Sequence, residues 1–152
     1  MAISQAMCTS FKVEILDALH NFGTTVTRAG TGADTFKIAL YTSSASLGAG
    51  TTAYSATNEV ANGNGYTTGG NTLVISQVPT DGGSGTTAFL SFSDTTWSNA
   101  TITANGALIY NSTQSNRAVA VLAFGGDKSS TAGNFTVQFP TANNTSAIIR
   151  IA

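Results

Sequence analysis

Charge is what this chain has least of. Lys, Arg, Asp and Glu together make up 9% of its 152 residues, against about 25% in an average soluble domain. The six basic residues, Lys12, Arg28, Lys37, Arg117, Lys128 and Arg150, are scattered along the chain. Binding to a phosphate backbone needs a clustered basic stripe, so no nucleic-acid partner is expected. The single cysteine, Cys8, excludes an intrachain disulfide and reads as a small residue without special role. No uninterrupted apolar run approaches the ~20 residues that span a bilayer, so no membrane partner is expected either. Met1 to Met7 lacks the basic and apolar regions of a signal peptide. The expected location is therefore the cytoplasm of synthesis, with release only as part of a larger particle.

Groups that do chemistry are just as scarce. The one histidine, His20, would have to serve any Ser-His-Asp or Cys-His mechanism, and it reads more simply as a half-exposed helix residue. Metal sites need clusters of His, Cys, Asp or Glu, and Cys8 and His20 alone do not make one. The acids Glu14, Asp17, Asp34, Glu59, Asp81, Asp94 and Asp127 are isolated in sequence, without the pairing that glycoside hydrolysis uses. Gly63-Asn64-Gly65, Gly69-Gly70 and Gly125-Gly126-Asp127-Lys128-Ser129 do not lie between a strand and a helix, as phosphate-cradling loops must. The expectation is a protein that is not an enzyme and has no cofactor and no metal. The N-x-S/T sequons at Asn99, Asn111, Asn134, Asn143 and Asn144 follow from abundant Asn, Ser and Thr. Tyr41, Tyr54, Tyr66, Tyr110 and Trp97 could line a sugar-binding face, but core packing or subunit contact is the better reading.

What replaces charge is Thr, Ser, Asn and Gly (16 glycines), beside 41% hydrophobic residues. A net charge of -1 with recurring apolar clusters indicates a folded chain rather than a disordered one, of a length that suits one domain. Thr, Val, Ile, Phe and Tyr suit a pleated, half-buried surface, and Gly, Asn and Ser supply turns. One helical signal stands near the start. Phe11, Ile15, Leu19 and Phe22, with Leu16 beside them, recur at helical spacing, between a Ser10 cap and a Gly23 stop. This predicts an amphipathic helix of about three turns.

Strands are predicted after that point. Thr24 to Thr27 reads as a short strand and Phe36 to Thr42 as the first firm one. Ser43 to Asn71 reads as short irregular strands such as Tyr54 to Thr57. Thr72 to Val78, Thr87 to Phe92 and Trp97 to Ala104 follow, the last closed by an Asn105-Gly106 turn. Ala107 to Tyr110 and Ala118 to Phe124 form a hairpin, Gly125 to Gly133 reads as a loop, and Phe135 to Phe139 and Ala147 to Ile151 close the chain. The predicted fold is all-β, a jelly-roll-like β-sandwich of about eight short strands with one N-terminal amphipathic helix. Residues 1–23 form an N-terminal segment and 24–152 the sandwich domain.

Several segments carry a resemblance: Lys37 to Ala45, Tyr54 to Val60, Gly65 to Gly70, Gly106 to Ser112, and Asn116 to Leu122. Together they resemble a family of small virion proteins of tailed bacteriophages, over about Phe36 to Ile151. The resemblance implies a structural part of the particle. Combined with low charge, which leaves a free surface poorly protected against association, it leads to the expectation of a capsid decoration or cement protein. Such a protein binds the outside of the head shell and reinforces junctions between major capsid subunits. Its expected partners are the major capsid protein and copies of itself, as trimer or dimer. Phe11, Ile15, Leu19 and Phe22 are the candidate anchor; their stripe packs on the sandwich or clamps a neighbour. The alternative is a tail, baseplate or fibre component, with glycan binding through Tyr and Trp.

Overall fold

A computed structural model describes residues 2–16, 18–23, 33–83 and 86–152. The fold is all-β, with two antiparallel sheets and one short helix among the described residues. The strands are β1 (Ala6–Met7), β2 (Phe36–Tyr41), β3 (Asn71–Thr72), β4 (Ile75–Thr80), β5 (Ala88–Phe92), β6 (Thr95–Asn111), β7 (Arg117–Val137) and β8 (Ile149–Ile151). The helix α1 (Thr9–Leu16) lies between β1 and β2. One sheet runs β1-β7-β6-β2-β3 and the other β4-β5-β8. The core lies between them. Phe36 of β2 sits 6.0 Å, ring centre to ring centre, from Phe92 of β5, and Ile38, Leu40, Leu108, Ile109, Val119 and Val121 are buried.

The predicted hairpin between Ala107–Tyr110 and Ala118–Phe124 is present, with Leu108 opposite Val121 and Ile109 opposite Ala120. It is part of something longer than the sequence suggested. β6 runs for 17 residues and β7 for 21, so the Asn105-Gly106 turn and the Gly125–Gly133 loop are both corrected to strand interior. Gly106 is there for close approach. It pairs with Tyr41 and with Ala123, and a Cβ on it would stand 2.6 Å from the Leu122 carbonyl and 2.9 Å from Ile3. Residues Gly125, Gly126 and Ala132 have positive φ. The β6–β7 ladder shifts register between Ala100 and Ile102 and between Ala104 and Gly106, as bulges do.

Three other expectations change. Thr72 to Val78 divides at Leu73–Val74 into β3 and β4, which belong to different sheets. Pro79 ends up in β4, an outer strand, where a missing N–H is tolerated. Tyr54 to Thr57 forms no strand; the segment is tied down by single bridges, Ala53 to Arg117 and Glu59 to Tyr41. The helix has 8 residues, about two turns rather than three. Ser10 lies inside it, and the capping position is Cys8, whose carbonyl accepts from Lys12 N–H. The helix stops at Ala18, not Gly23. Leu19 N–H donates to the Glu14 carbonyl and Ala18 N–H to that of Ile15, with Ala18 at φ 54, the bonding pattern of a Schellman motif. The Thr24–Thr27 strand lies outside the described residues.

Candidate functional site at the N-terminal segment

The four candidate anchor residues divide by burial. Phe11 and Phe22 are buried in the chain's own core. Their rings meet edge to face at 6.0 Å, and Phe22 stacks on Phe36 at 4.1 Å, the two ring geometries that aromatic pairs favour. Ile15 is half-buried and packs against the same core; Leu19 is also half-buried. Beside them lies an apolar groove of about 390 Å³. Phe11, Ile15 and Phe22 form one wall, and Val78, Phe89 and Ile151 of the small sheet face them.

Next to this apolar packing is a polar network that the linear sequence does not announce. The His20 side chain is fully buried. Its Nε2 lies 2.7 Å from Glu14 Oε2, and its Nδ1 lies 3.0 Å from Asn111 Nδ2. Glu14 is buried and its other oxygen accepts from Arg117. Asn111, also buried, donates to Asp34 Oδ2 at 2.8 Å. Its Oδ1 accepts from the backbone N–H groups of Thr113 and Gln114 at 3.1 and 3.2 Å. Asp34 further accepts from Asn21 N–H and Gln114 Nε2. One network thus ties the helix, the segment after it, the entry to β2, and the tip of the β6–β7 hairpin. Sequence reading placed His20 as half-exposed; its imidazole is enclosed instead, because Phe11 packs edge to face on it at 4.8 Å. Burial is the main cause holding the His20 pKa below its ordinary 6.5, opposed by the Glu14 and Asp34 carboxylates and aided by Arg117. The Cys8 thiol, buried among core residues, is pushed up to about 11 and stays protonated, which makes it a poor nucleophile.

A second buried carboxylate organises the long segment between β2 and β3. Glu59 Oε1 accepts from Tyr66 Oη at 2.6 Å and from Gly69 N–H at 2.7 Å, and Oε2 accepts from Tyr54 Oη at 2.7 Å. Tyr66 Oη in turn accepts from Leu40 N–H, Tyr110 Oη donates to the Gly69 carbonyl, and Tyr41 Oη donates to the Ser55 carbonyl. Burial first, and the nearby Glu59 charge, hold all four tyrosines above their ordinary pKa, Tyr110 at about 12. They therefore act as fixed donors. Gly70 closes the cluster: at φ 68, a Cβ there would lie 1.8 Å from the Ile38 carbonyl oxygen. The segments Lys37–Ala45, Tyr54–Val60 and Gly65–Gly70 converge here.

Of the five aromatics that could face a sugar, Tyr41, Tyr66, Tyr110 and Trp97 are buried, which is the packing alternative; Tyr54 is half-buried and stacks on Tyr110 at 4.6 Å. Among the described residues, no group of three or more His, Cys, Asp or Glu could hold a metal ion, and no helix is long and apolar enough to cross a membrane. No family model, no curated protein and no solved structure matches this chain.

Proposed function

We propose that this chain is a structural subunit of a tailed-phage particle, and that its role is to decorate the outside of the capsid and reinforce junctions between major capsid subunits. The observation that carries this reading is the outer face of the β6–β7 ribbon. Thr96 bonds Thr136 across the strands, Thr103 bonds Ser129, and Asn105 bonds Asp127, while Ser98, Thr101 and Asn134 are exposed on the same ribbon. Apart from the Asp127 carboxylate, the groups on this face are hydroxyls and amides; such a surface is cheaper to desolvate than one of charges, and the buried centres of protein interfaces are depleted in Lys, Glu and Asp. Among the described residues, the buried acids Glu14 and Glu59 are already spent on internal bonds. The sequence resemblance supports the same reading.

The test is quantitative mass spectrometry of purified particles from the source phage, scaled to the major capsid protein. A ratio near stoichiometric is the expected result. A few copies per particle would move the chain to the tail or neck, and complete absence would end the virion reading.

A further inference from the structure

We propose that the N-terminal segment is fastened to the hairpin tip by an acid-sensitive clasp, in which His20 is the sensor and Asn111 the group that opposes its second proton. This inference is independent of the particle role, since it rests on the internal network alone.

The argument is a count of protons. Asn111 Oδ1 is committed to two backbone donors, Thr113 and Gln114 N–H. That fixes the amide, so its NH2 must face His20 Nδ1 and Asp34 Oδ2, with one hydrogen for each. Nδ1 is then an acceptor, and the ring proton sits on Nε2, where Glu14 Oε2 takes it. All partners are satisfied only by the neutral Nε2–H imidazole. A second proton would enter at Nδ1 and point at the Asn111 N–H. Turning the amide over would set its oxygen against Asp34 and its NH2 against two backbone donors. The new N–H can reach an acceptor only if Asn111 leaves, and that frees Thr113 and Gln114 at the tip.

The charged groups around the ring, among the described residues, divide. Glu14 on the helix and Asp34 before β2 favour the imidazolium, while Arg117 on β7 opposes it. Phe11, Phe22 and Phe36 surround the ring on its other sides and offer no solvation. Burial outweighs the carboxylates, so the folded chain takes up this proton at lower pH than the unfolded chain. The clasp's contribution to stability is complete above about pH 6.5 and is lost as pH falls through the folded-state value.

Because His20 is the one histidine, its ring resonances need no assignment. A long-range proton–nitrogen titration of the full chain from about pH 8 to about pH 5 should show the Nε2–H tautomer at neutral pH and a midpoint below 6.5. Amide protection of residues 9–23 and 111–117, corrected for intrinsic exchange, should fall across that midpoint. An Nδ1–H tautomer, a midpoint at or above 6.5, or unchanged protection would overturn the proposal. His20→Gln offers a donor to Glu14 and an acceptor to Asn111 without titrating, so the acid-triggered loss should vanish. Its persistence at the same midpoint would also overturn the proposal. If that variant does not fold, the ring titration decides alone.

Discussion

Ala18 is a residue in a glycine's position. It holds φ 54 at the end of the helix, where a Cβ meets the following carbonyl at a cost of roughly 1–2 kcal/mol. Ala18→Gly removes that cost, partly offset by the extra freedom glycine gives the unfolded chain. The expected outcome is a gain of about 0.5–1 kcal/mol, read as a raised thermal midpoint with unchanged denaturant slope. Tyr66 is the opposite case, a residue with no spare bond. Tyr66→Phe leaves Leu40 N–H without its acceptor and removes one donor from the buried Glu59 carboxylate. The expected loss is about 2–3 kcal/mol, measured by urea unfolding. The sequence put Tyr66 among aromatics that pack in the core, meet another subunit or face a sugar, but it did not show the Glu59 bond. Glu59 stands among Asn, Gly and Thr, and nothing about an isolated acid says which tyrosines will fold over it.

At the level of elements, local rules worked where packing agreed with them. Phe36–Tyr41, Ala88–Phe92 and the hairpin around Ser112–Asn116 were legible, because β-branched and aromatic runs flanked by turn residues face both a core and a partner strand there. The rules failed at Asn105-Gly106 and Gly125-Gly126. Gly106 serves close approach to Ile3 and Leu122, and Gly125-Gly126 lie in the register shift between Ala123 and Lys128, so both sites are interruptions within long strands rather than chain reversals. The helix was overextended for a related reason. Phe22 belongs to the same apolar cluster as Phe11, so its periodicity reports a shared core and not a continuous helix. β1 also changes what a truncation means. From sequence, removing Met1 to Ser10 should weaken particle binding and leave the domain folded. In the structure Ala6 and Met7 pair with Val121 and Ala120, and Cys8 N–H bonds the Val119 carbonyl. The truncation therefore uncovers the edge of β7 and removes buried Cys8. The expected outcome is a lowered thermal midpoint in the isolated protein, before any particle is added.

For the molecule as a whole, the fold class was readable and the polar centres were not. An all-β class follows from composition, which every residue reports. The clasp brings together Glu14, His20, Asp34, Asn111 and Arg117, with Asn111 bonded to a residue 91 positions away and Arg117 to one 103 away; no spacing rule reaches that far. The same separations have a consequence in time. The tip of the β6–β7 hairpin needs only a short loop to close, whereas β2 meets β6 with Phe36 opposite Asn111 and β1 meets β7 with Ala6 opposite Val121. Closing the longer loops costs more chain entropy, and hairpins form in about 1–10 μs. Folding should therefore begin as a zipper at Asn111–Arg117 and run outward, with the N-terminal segment docking last. Ratios of kinetic to equilibrium destabilisation should be high for Val121→Ala and near zero for Phe22→Leu; equal values at the two sites would rule that order out. Until the last step, Val119 to Val121 offers an open strand edge, so the final event in folding is also the one that removes the chain's exposure to mispairing with its neighbours.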